Sequence, residues 1–411
     1  MPATKQIILQ YGLARTFSCE VKPEQLWGTF EAPAPCENPA DRIRESLTQP
    51  LQFPRLSQAV LPDDRVTIVL DCDTPDSSLL IAGIWEELSR VRIDPEYLLI
   101  LQPFETGGTK QFDPRIDLPD KVREKIGWKI HNPEDETACG YLASTGSGER
   151  IYLAREVLDA DVVVTVGQTS FDRRLGYRGT SSSFYPGLSN AEAIKRCQGQ
   201  GHRELSPADT RPLRELNDEA AWLLGTQFTV QVIASKGGSF SQIVAGEREK
   251  VLRHCKSLLD ELWLTQIDER PETVIVAVEI DAAGHGWKHV ASALSTARSL
   301  VRREGKIVVL TDLREKPGAG MSLLKDTREP REVYAPLGKL SPSDHSETLE
   351  LLDALDQASV YLLSQLPSDE IEDLHLIPLD SSEEVGRLLS TIESCVTVES
   401  AQHTWGQVIG E

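Results

Sequence analysis

Hydrophobic positions change period along this chain, and the changes separate strands from helices. Alternation at Ile7 and Leu9, then at Phe17 and Val21, about a Tyr11-Gly12 turn predicts an opening β-hairpin. The stretch from Trp27 to Pro39 is rich in Pro, Ala and Glu and reads as a surface connection. From Asp64 an α/β rhythm sets in, with strand Val66–Leu70, loop Asp71–Ser77, helix Leu79–Val91 and strand Tyr97–Gln102. A loop from Pro103 to Pro114, a short helix near Lys121–Ile126 and a hairpin turn at Gly146-Ser147-Gly148 precede strand Val162–Val166. The segment from Gly167 to Gly201 is long and rich in Gly, Ser and Arg, the composition of a functional loop. Strand Phe228–Ala234 and helix Glu247–Leu262 follow.

Charged residues around Pro271, from Asp268 to Glu272, then separate a second run of the same rhythm. It comprises strand Val274–Val278, helix Val290–Arg303 with a C-cap at Gly305, strand Ile307–Leu310, helix Glu347–Leu355 and strand Val360–Leu363. A helix opening at Ser381 with Glu384 in a capping box leads to strand Val396–Val398. Largely apolar strands separated by amphipathic helices imply parallel sheets covered on both faces. The expectation is therefore an α/β fold of two domains, 1–267 and 268–411, with mainly parallel sheets and an active-site crevice between them. Ligands of such sheets lie beyond the carboxyl ends of the strands, which directs attention to the loops after Leu70, Gln102 and Val166.

Composition narrows the function. The 411 residues are 40% hydrophobic and 26% charged, as in ordinary globular proteins. Lys and Arg number 43 against 64 Asp and Glu, giving a net charge of -21 that repels a phosphate backbone, so nucleic acid is not an expected partner. Seven scattered cysteines without a CxxC pair suggest neither a disulfide framework nor a zinc knuckle. The first ten residues lack a secretory apolar run, and no stretch approaches the ~18–20 apolar residues of a membrane span. A cytoplasmic protein with reduced thiols is the expectation.

Three segments carry candidate chemistry, each with a plainer reading beside it. Asp71-Cys72-Asp73-Thr74-Pro75-Asp76 directly follows a parallel strand, where carboxylates either hold a cation or orient a catalytic group, or Asp76 or Ser77 simply caps the next helix. Glu105 stands before Gly107-Gly108, as a general base against a closely approaching ligand or as a solvated acid. Asp172-Arg173-Arg174 with Tyr177-Arg178-Gly179-Thr180-Ser181-Ser182-Ser183 combines guanidiniums, hydroxyls and exposable N–H groups suited to an anion, or forms an ordered loop with its arginines paired to acids. Asn190 is a plausible N-cap for helix Ala191–Cys197. His285 and His289 have metal-site spacing, but two imidazoles beside a helix start fit equally well, and His202 has similar standing.

The order of these loops, over roughly residues 55 to 320, resembles the nickel-dependent lactate racemase family. The resemblance rests on Asp71 and Pro75, Phe104 within Pro103–Thr109, the Thr145–Glu149 hairpin, and above all Gly176-Tyr177-Arg178-Gly179 running to Pro186-Gly187-Leu188. It implies a two-domain α/β fold in which a covalently tethered nickel-pincer nucleotide abstracts a hydride from a 2-hydroxy acid. This chain departs from that pattern at the positions that matter for it. Ser182 stands where the family has its tethering lysine, and Gln198, with His202 nearby, where it has a nickel-ligating histidine. Glu105 and Asp172 take the places of the two acid/base histidines, Asp73 or Thr74 that of a substrate-binding arginine, and Val290 and Ala293 those of a Gln-x-x-Lys pair. No lysine occurs in 180–189.

Carboxylates move protons but cannot accept a hydride, so nickel-pincer chemistry is not expected, and neither is covalent attachment of that cofactor or a metal site. Two functions of different class follow. One is an isomerase of hydroxy acids or sugar acids, with Glu105 and Asp172 as catalytic acid/base residues and Asp73, Thr74, Arg173, Arg174, Arg178 and Ser182 binding the substrate. The other is a cofactor-free pseudoenzyme that binds a small anionic metabolite or a protein partner.

Overall fold

The structure, a computed structural model, describes residues 4–103, 112–135, 137–197, 205–226, 228–281 and 284–409. It divides into two compact units, one of residues Ala34–Glu261 and one joining Met1–Pro33 to Leu262–Glu411. Each unit has a six-stranded sheet at its centre, and the α/β class with mainly parallel strands is as expected. Among the described residues no helix is long and apolar enough to cross a membrane, and the seven cysteines are free thiols.

In the Ala34–Glu261 unit the sheet order is Phe240–Glu247, Phe228–Ala234, Val162–Gln168, Val66–Leu70, Leu98–Gln102, Gly127–Ile130, parallel except for the Phe240–Glu247 edge. One face is apolar throughout: Val66, Ile68, Leu70, Leu98, Ile100, Val164, Val166, Val230 and Val232 pack under the helices Pro39–Thr48 and Ser77–Ser89. The chain moves from Val66–Leu70 outward to Leu98–Gln102 and Gly127–Ile130, then returns to place Val162–Gln168 on the other side of Val66–Leu70. The loops after these two strands therefore part in opposite directions, which opens the sheet's ligand position between them.

The second unit has the order Ile377–Leu379, Ala358–Leu363, Gly305–Leu310, Thr273–Ala277, Cys395–Val398, Leu26–Phe30, all parallel. One face packs on the helices Trp287–Leu300 and His345–Gln357. The opposite face, with Ile275, Ala277, Val308 and Leu310, is covered by Ile7, Leu9, Tyr11, Phe17 and Val21 of the opening hairpin and by Val385 and Leu389.

Several expectations change here. The first 33 residues pack with the C-terminal unit, because their apolar hairpin face and the Leu26–Phe30 strand find partners only there. Leu26–Phe30, expected as connection, is thus an edge strand. A division at 267/268 would fall at the end of strand Leu264–Ile267, which pairs with Trp405–Val408. Gly305 does not cap the preceding helix, which ends at Leu300 with Val301 as its C-cap; it begins a strand, where a Cβ would lie 2.5 Å from the Glu272 carbonyl oxygen. The helix Pro212–Leu224 was not legible, since its inward positions include Arg214 and Asn217 and blunt the apolar stripe. By contrast, Asn190 and Ser381 cap as expected, accepting from the Ala193 and Glu384 N–H groups.

The hairpin's place in the C-terminal unit has a measurable consequence. Phe17→Ala, at a fully buried position, is expected to cost about 3–5 kcal/mol. Hydrogen exchange should show protection lost in Thr273–Ala277 and Gly305–Leu310 and retained in Val66–Leu70.

Candidate functional site

The loop after Leu70 is fixed by its own polar groups. Asp71 N–H donates to the Val166 carbonyl at 2.9 Å, so the loop continues the pairing with the neighbouring strand. The Asp71 carboxylate accepts from the Cys72 N–H at 2.9 Å, and the buried Thr74 hydroxyl closes the turn by donating to the Asp71 carbonyl at 2.6 Å. Cys72 Sγ–H points to the Pro103 carbonyl at 3.3 Å. Asp76 precedes the helix Ser77–Ser89 but makes no side-chain cap; its carboxylate accepts from the Ser239 hydroxyl and the Phe240 N–H instead.

Across the switch point, the segment expected as loop contains a small hairpin, Ser170–Asp172 with Gly176–Arg178. Its turn needs Gly176, which has φ +73 and sits where a Cβ would come 2.2 Å from the Pro207 carbonyl oxygen. Asp172 Oδ1 accepts from the N–H groups of Arg174 at 2.7 Å and Leu175 at 2.9 Å, and Arg174 Nη2 lies 3.8 Å from its other oxygen. Burial alone would raise the Asp172 carboxyl; Arg174 and Arg178, with the two N–H groups, outweigh it and hold the group below the ordinary aspartate value.

The hairpin ends in the central contact of the site. Arg178 donates from Nη2 to Asp71 Oδ1 at 2.6 Å and from Nη1 to Asp73 Oδ2 at 2.7 Å. Asp71 is almost fully buried, with 3% of its side chain exposed, while Arg178 keeps 26%. One guanidinium thus joins two loops from opposite sides of the switch point, in charge-assisted bonds of the strong kind.

A tight turn follows. Ser182 Oγ accepts the Gly179 N–H at 2.8 Å and lies 3.4 Å from the Gly179 carbonyl oxygen. Thr180 N–H and the Thr169 hydroxyl both donate to Gln231 Oε1, at 3.1 and 3.2 Å, and Arg248 Nη1 donates to Ser181 Oγ at 3.0 Å. Gly179, at φ +125, would put a Cβ 2.8 Å from that Gln231 oxygen.

Of the expected residues, Asp73, Asp172, Arg174, Arg178 and Ser182 lie in these two loops, and Arg173 is on the same hairpin. Thr74 is there too, but its hydroxyl serves the loop itself. Glu105, Gln198 and His202 lie outside the described residues. Val290 and Ala293 are buried in the apolar core of the second unit and offer a ligand nothing. His285 and His289 are both engaged internally: His285 Nε2 accepts from the Asp312 N–H, while His289 Nδ1 accepts from Gly286 N–H and Nε2 faces Asp281 at 3.0 Å. Among the described residues no group of three or more His, Cys, Asp and Glu side chains is arranged to hold a metal ion. The tether of a nickel-pincer nucleotide does not fit Ser182, whose hydroxyl has no amine chemistry and is already closed onto Gly179. Sequence reasoning missed Gln231 and Arg248, and the only signal for Gln231 was a polar Thr229-Gln231 pair inside an otherwise apolar central strand.

Residues 11–204 match the family model of the lactate racemase N-terminal domain. No curated protein matches the sequence. The lactate racemase apoprotein of Thermoanaerobacterium thermosaccharolyticum superposes with a TM-score of 0.79 at 15% identity, covering 98% of this chain and 100% of that one. A structural-genomics protein of Thermotoga maritima superposes with a TM-score of 0.66 at 12% identity, covering 90% of this chain and 98% of that one. At such identities the likeness concerns fold. The chain is thus similar to the lactate racemase N-terminal domain in sequence over residues 11–204, and shares the fold of the lactate racemase apoprotein over nearly its whole length.

Proposed function

We propose that this protein binds a small hydroxy acid, a 2-hydroxy acid or a sugar acid, at the switch point of the Ala34–Glu261 unit, without a tethered nickel cofactor. The observation that carries the reading is the Asp71–Arg178–Asp73 bridge. Its carboxylates are acceptors for ligand hydroxyls. Its guanidinium has five N–H donors, of which the bonds to the two aspartates use one each, and it is the nearest cation for a ligand carboxylate. Arg173 and Arg174, on the same hairpin, add positive charge beside it. Asp172, held below the usual aspartate value, is ionised near neutrality and serves as an acceptor or base, not as a proton donor. None of these groups can take a hydride, so the reading is recognition without the family's hydride transfer.

Three outcomes test it. The purified full-length protein should show the intact mass of its sequence without a nucleotide adduct, nickel well below one equivalent, and a rise in melting temperature with 2-hydroxy acids or sugar acids. Stoichiometric nickel with an adduct would overturn the cofactor-free reading. Arg178→Met should destabilise by about 3 kcal/mol in urea titrations, because it removes the guanidinium that bonds the buried Asp71 carboxylate. It should also abolish the ligand-induced shift, and adding Asp71→Asn should restore part of the stability but none of the binding. Asp172→Asn concerns acid stability. The native carboxyl titrates below its unfolded value, so its contribution is present above about pH 3.9 and is lost as pH falls through the lowered native value. Asn keeps an oxygen for the Arg174 and Leu175 N–H groups, so stability measured from about pH 5 to 2 should fall less steeply in the variant than in the parent.

A further inference from the structure

We infer a second chemical centre on the Ala34–Glu261 unit, in which the amine of Lys256 captures an aldehyde or ketone carbonyl as an imine while the neighbouring Asp260 carboxyl moves the proton. It goes beyond the hydroxy-acid reading and does not depend on it. Successive residues of a strand point to opposite faces, so in Gly176–Arg178 the Tyr177 side chain turns away from the face on which Arg178 meets Asp71 and Asp73. It packs instead toward the helix Arg248–Trp263, where its hydroxyl donates to Asp260 and lies 2.8 and 2.9 Å from the two carboxylate oxygens. Lys256 stands four residues before Asp260 on that helix and therefore on the same face. Its Nζ lies over the Tyr177 ring, 4.8 Å from the centroid.

The surroundings of Lys256 set it apart from the other lysines. Lys125, Lys129, Lys306 and Lys325 are ion-paired with carboxylates. Among the described residues no carboxylate makes an ion pair with Lys256, and its nitrogen has only the face of a ring. The acids that act on it are engaged elsewhere, Asp260 with the Tyr177 hydroxyl and Asp218 Oδ2 with Arg214 Nε at 2.9 Å. Arg214, whose Nη2 has no hydrogen-bond partner, adds a like charge beside it. Burial first, and then Arg214, hold the ammonium below the ordinary lysine value against the pull of Asp218 and Asp260. The side chain is half-buried, but Nζ is not sealed from solvent as Arg214 Nη2 is. An amine that sheds its proton readily and can still be reached is a nucleophile.

Asp260 and Tyr177 supply the rest. Burial holds the Asp260 carboxyl above the ordinary aspartate value, against the Tyr177 hydroxyl and Lys256, so it passes a proton near neutrality more readily than a solvated aspartate does. Burial, with Asp260, also raises the Tyr177 phenol, which therefore keeps its proton and holds the carboxyl in place as a donor. The neutral Lys256 amine attacks the carbonyl carbon; a C–N bond forms, and the carbonyl π pair moves to oxygen, which takes up the proton released from nitrogen. The carbinolamine then loses its oxygen as water on receiving the Asp260 proton, while the nitrogen lone pair closes the C=N bond. Amine, carbonyl compound and the Asp260 proton thus become a protonated imine, water and the Asp260 carboxylate, with no oxidant or reductant. The ligand class is a small aldehyde or ketone.

Reductive alkylation of the full-length protein with acetaldehyde, at pH 7 and with enough cyanoborohydride that imine formation limits the rate, tests this when mapped by peptide mass. Lys256 should be modified at least about tenfold faster than the exposed Lys121, Lys195 and Lys236, the effect of about one unit in amine ionisation. Acetylation by acetic anhydride needs only the free amine, so the advantage of Lys256 over the same three lysines should be smaller there than in alkylation, which Asp260 assists. Asp260→Asn keeps an oxygen for the Tyr177 hydroxyl; it should slow alkylation of Lys256 by about tenfold or more and leave its acetylation at least as fast. The comparison of the two reagents on the parent protein stands even if that variant fails to fold. The inference is overturned by a Lys256 that reacts no faster than the three reference lysines, by an alkylation advantage no greater than the acetylation advantage, or by an Asp260→Asn protein that alkylates as fast as the parent. Each of these results leaves the hydroxy-acid reading untouched.

Discussion

One guanidinium holds the candidate site together. The strands Val66–Leu70 and Val162–Gln168 are neighbours, yet the chain leaves their carboxyl ends in opposite directions. Arg178 joins the two departing loops by bonding Asp71 and Asp73 at once. The loop around Asp71 is braced by Cys72, Thr74 and Val166, so the guanidinium is held from a stiff partner. The hairpin that presents Arg178 is in turn set by Gly176 and by the Asp172 carboxylate on two N–H groups. Removing a charge from such an arrangement costs more than the attraction it supplied, because the partner carboxylate stays buried.

The same bridge sets the electrostatic character of the site. Asp71, Asp73 and Asp172 stand against Arg173, Arg174 and Arg178 within two loops, so formal charges balance in a protein of net charge -21. A balanced site selects by the direction of its hydrogen bonds more than by net attraction. Asp73, one of the two positions that the resemblance sets against an arginine, here accepts from an arginine of the opposite loop.

Legibility in the sequence followed the range of the interactions. Central parallel strands are continuous apolar runs, so Val66–Leu70 and Val162–Val166 announced themselves, and the caps at Asn190 and Ser381 depend only on residues three positions away. Leu26–Phe30 did not, since Leu-Trp-Gly-Thr-Phe becomes a strand only against Cys395–Val398 at the far end of the chain. At the site, the aspartates and Arg178 were each visible as chemistry. Their pairing was not, because it spans more than a hundred residues and depends on which strand neighbours which. The polar face of the strands bearing Thr165 and Gln231 was hidden for a related reason: buried Thr and Gln look like ordinary exposed positions until something is known to cover them.

The place of the opening hairpin bears on how the chain is made. Its apolar face and the Leu26–Phe30 strand are synthesised before the surfaces they cover, which are formed by strands that begin at Thr273 and end at Val398. The Ala34–Glu261 unit has all its own strands long before then and can close around its own core. Throughout that interval Ile7, Leu9, Phe17 and the edge of Leu26–Phe30 await the strands that cover them. The unit that contains them is thus assembled from segments on both sides of Ala34–Glu261, and its completion waits for Cys395–Val398 to be synthesised.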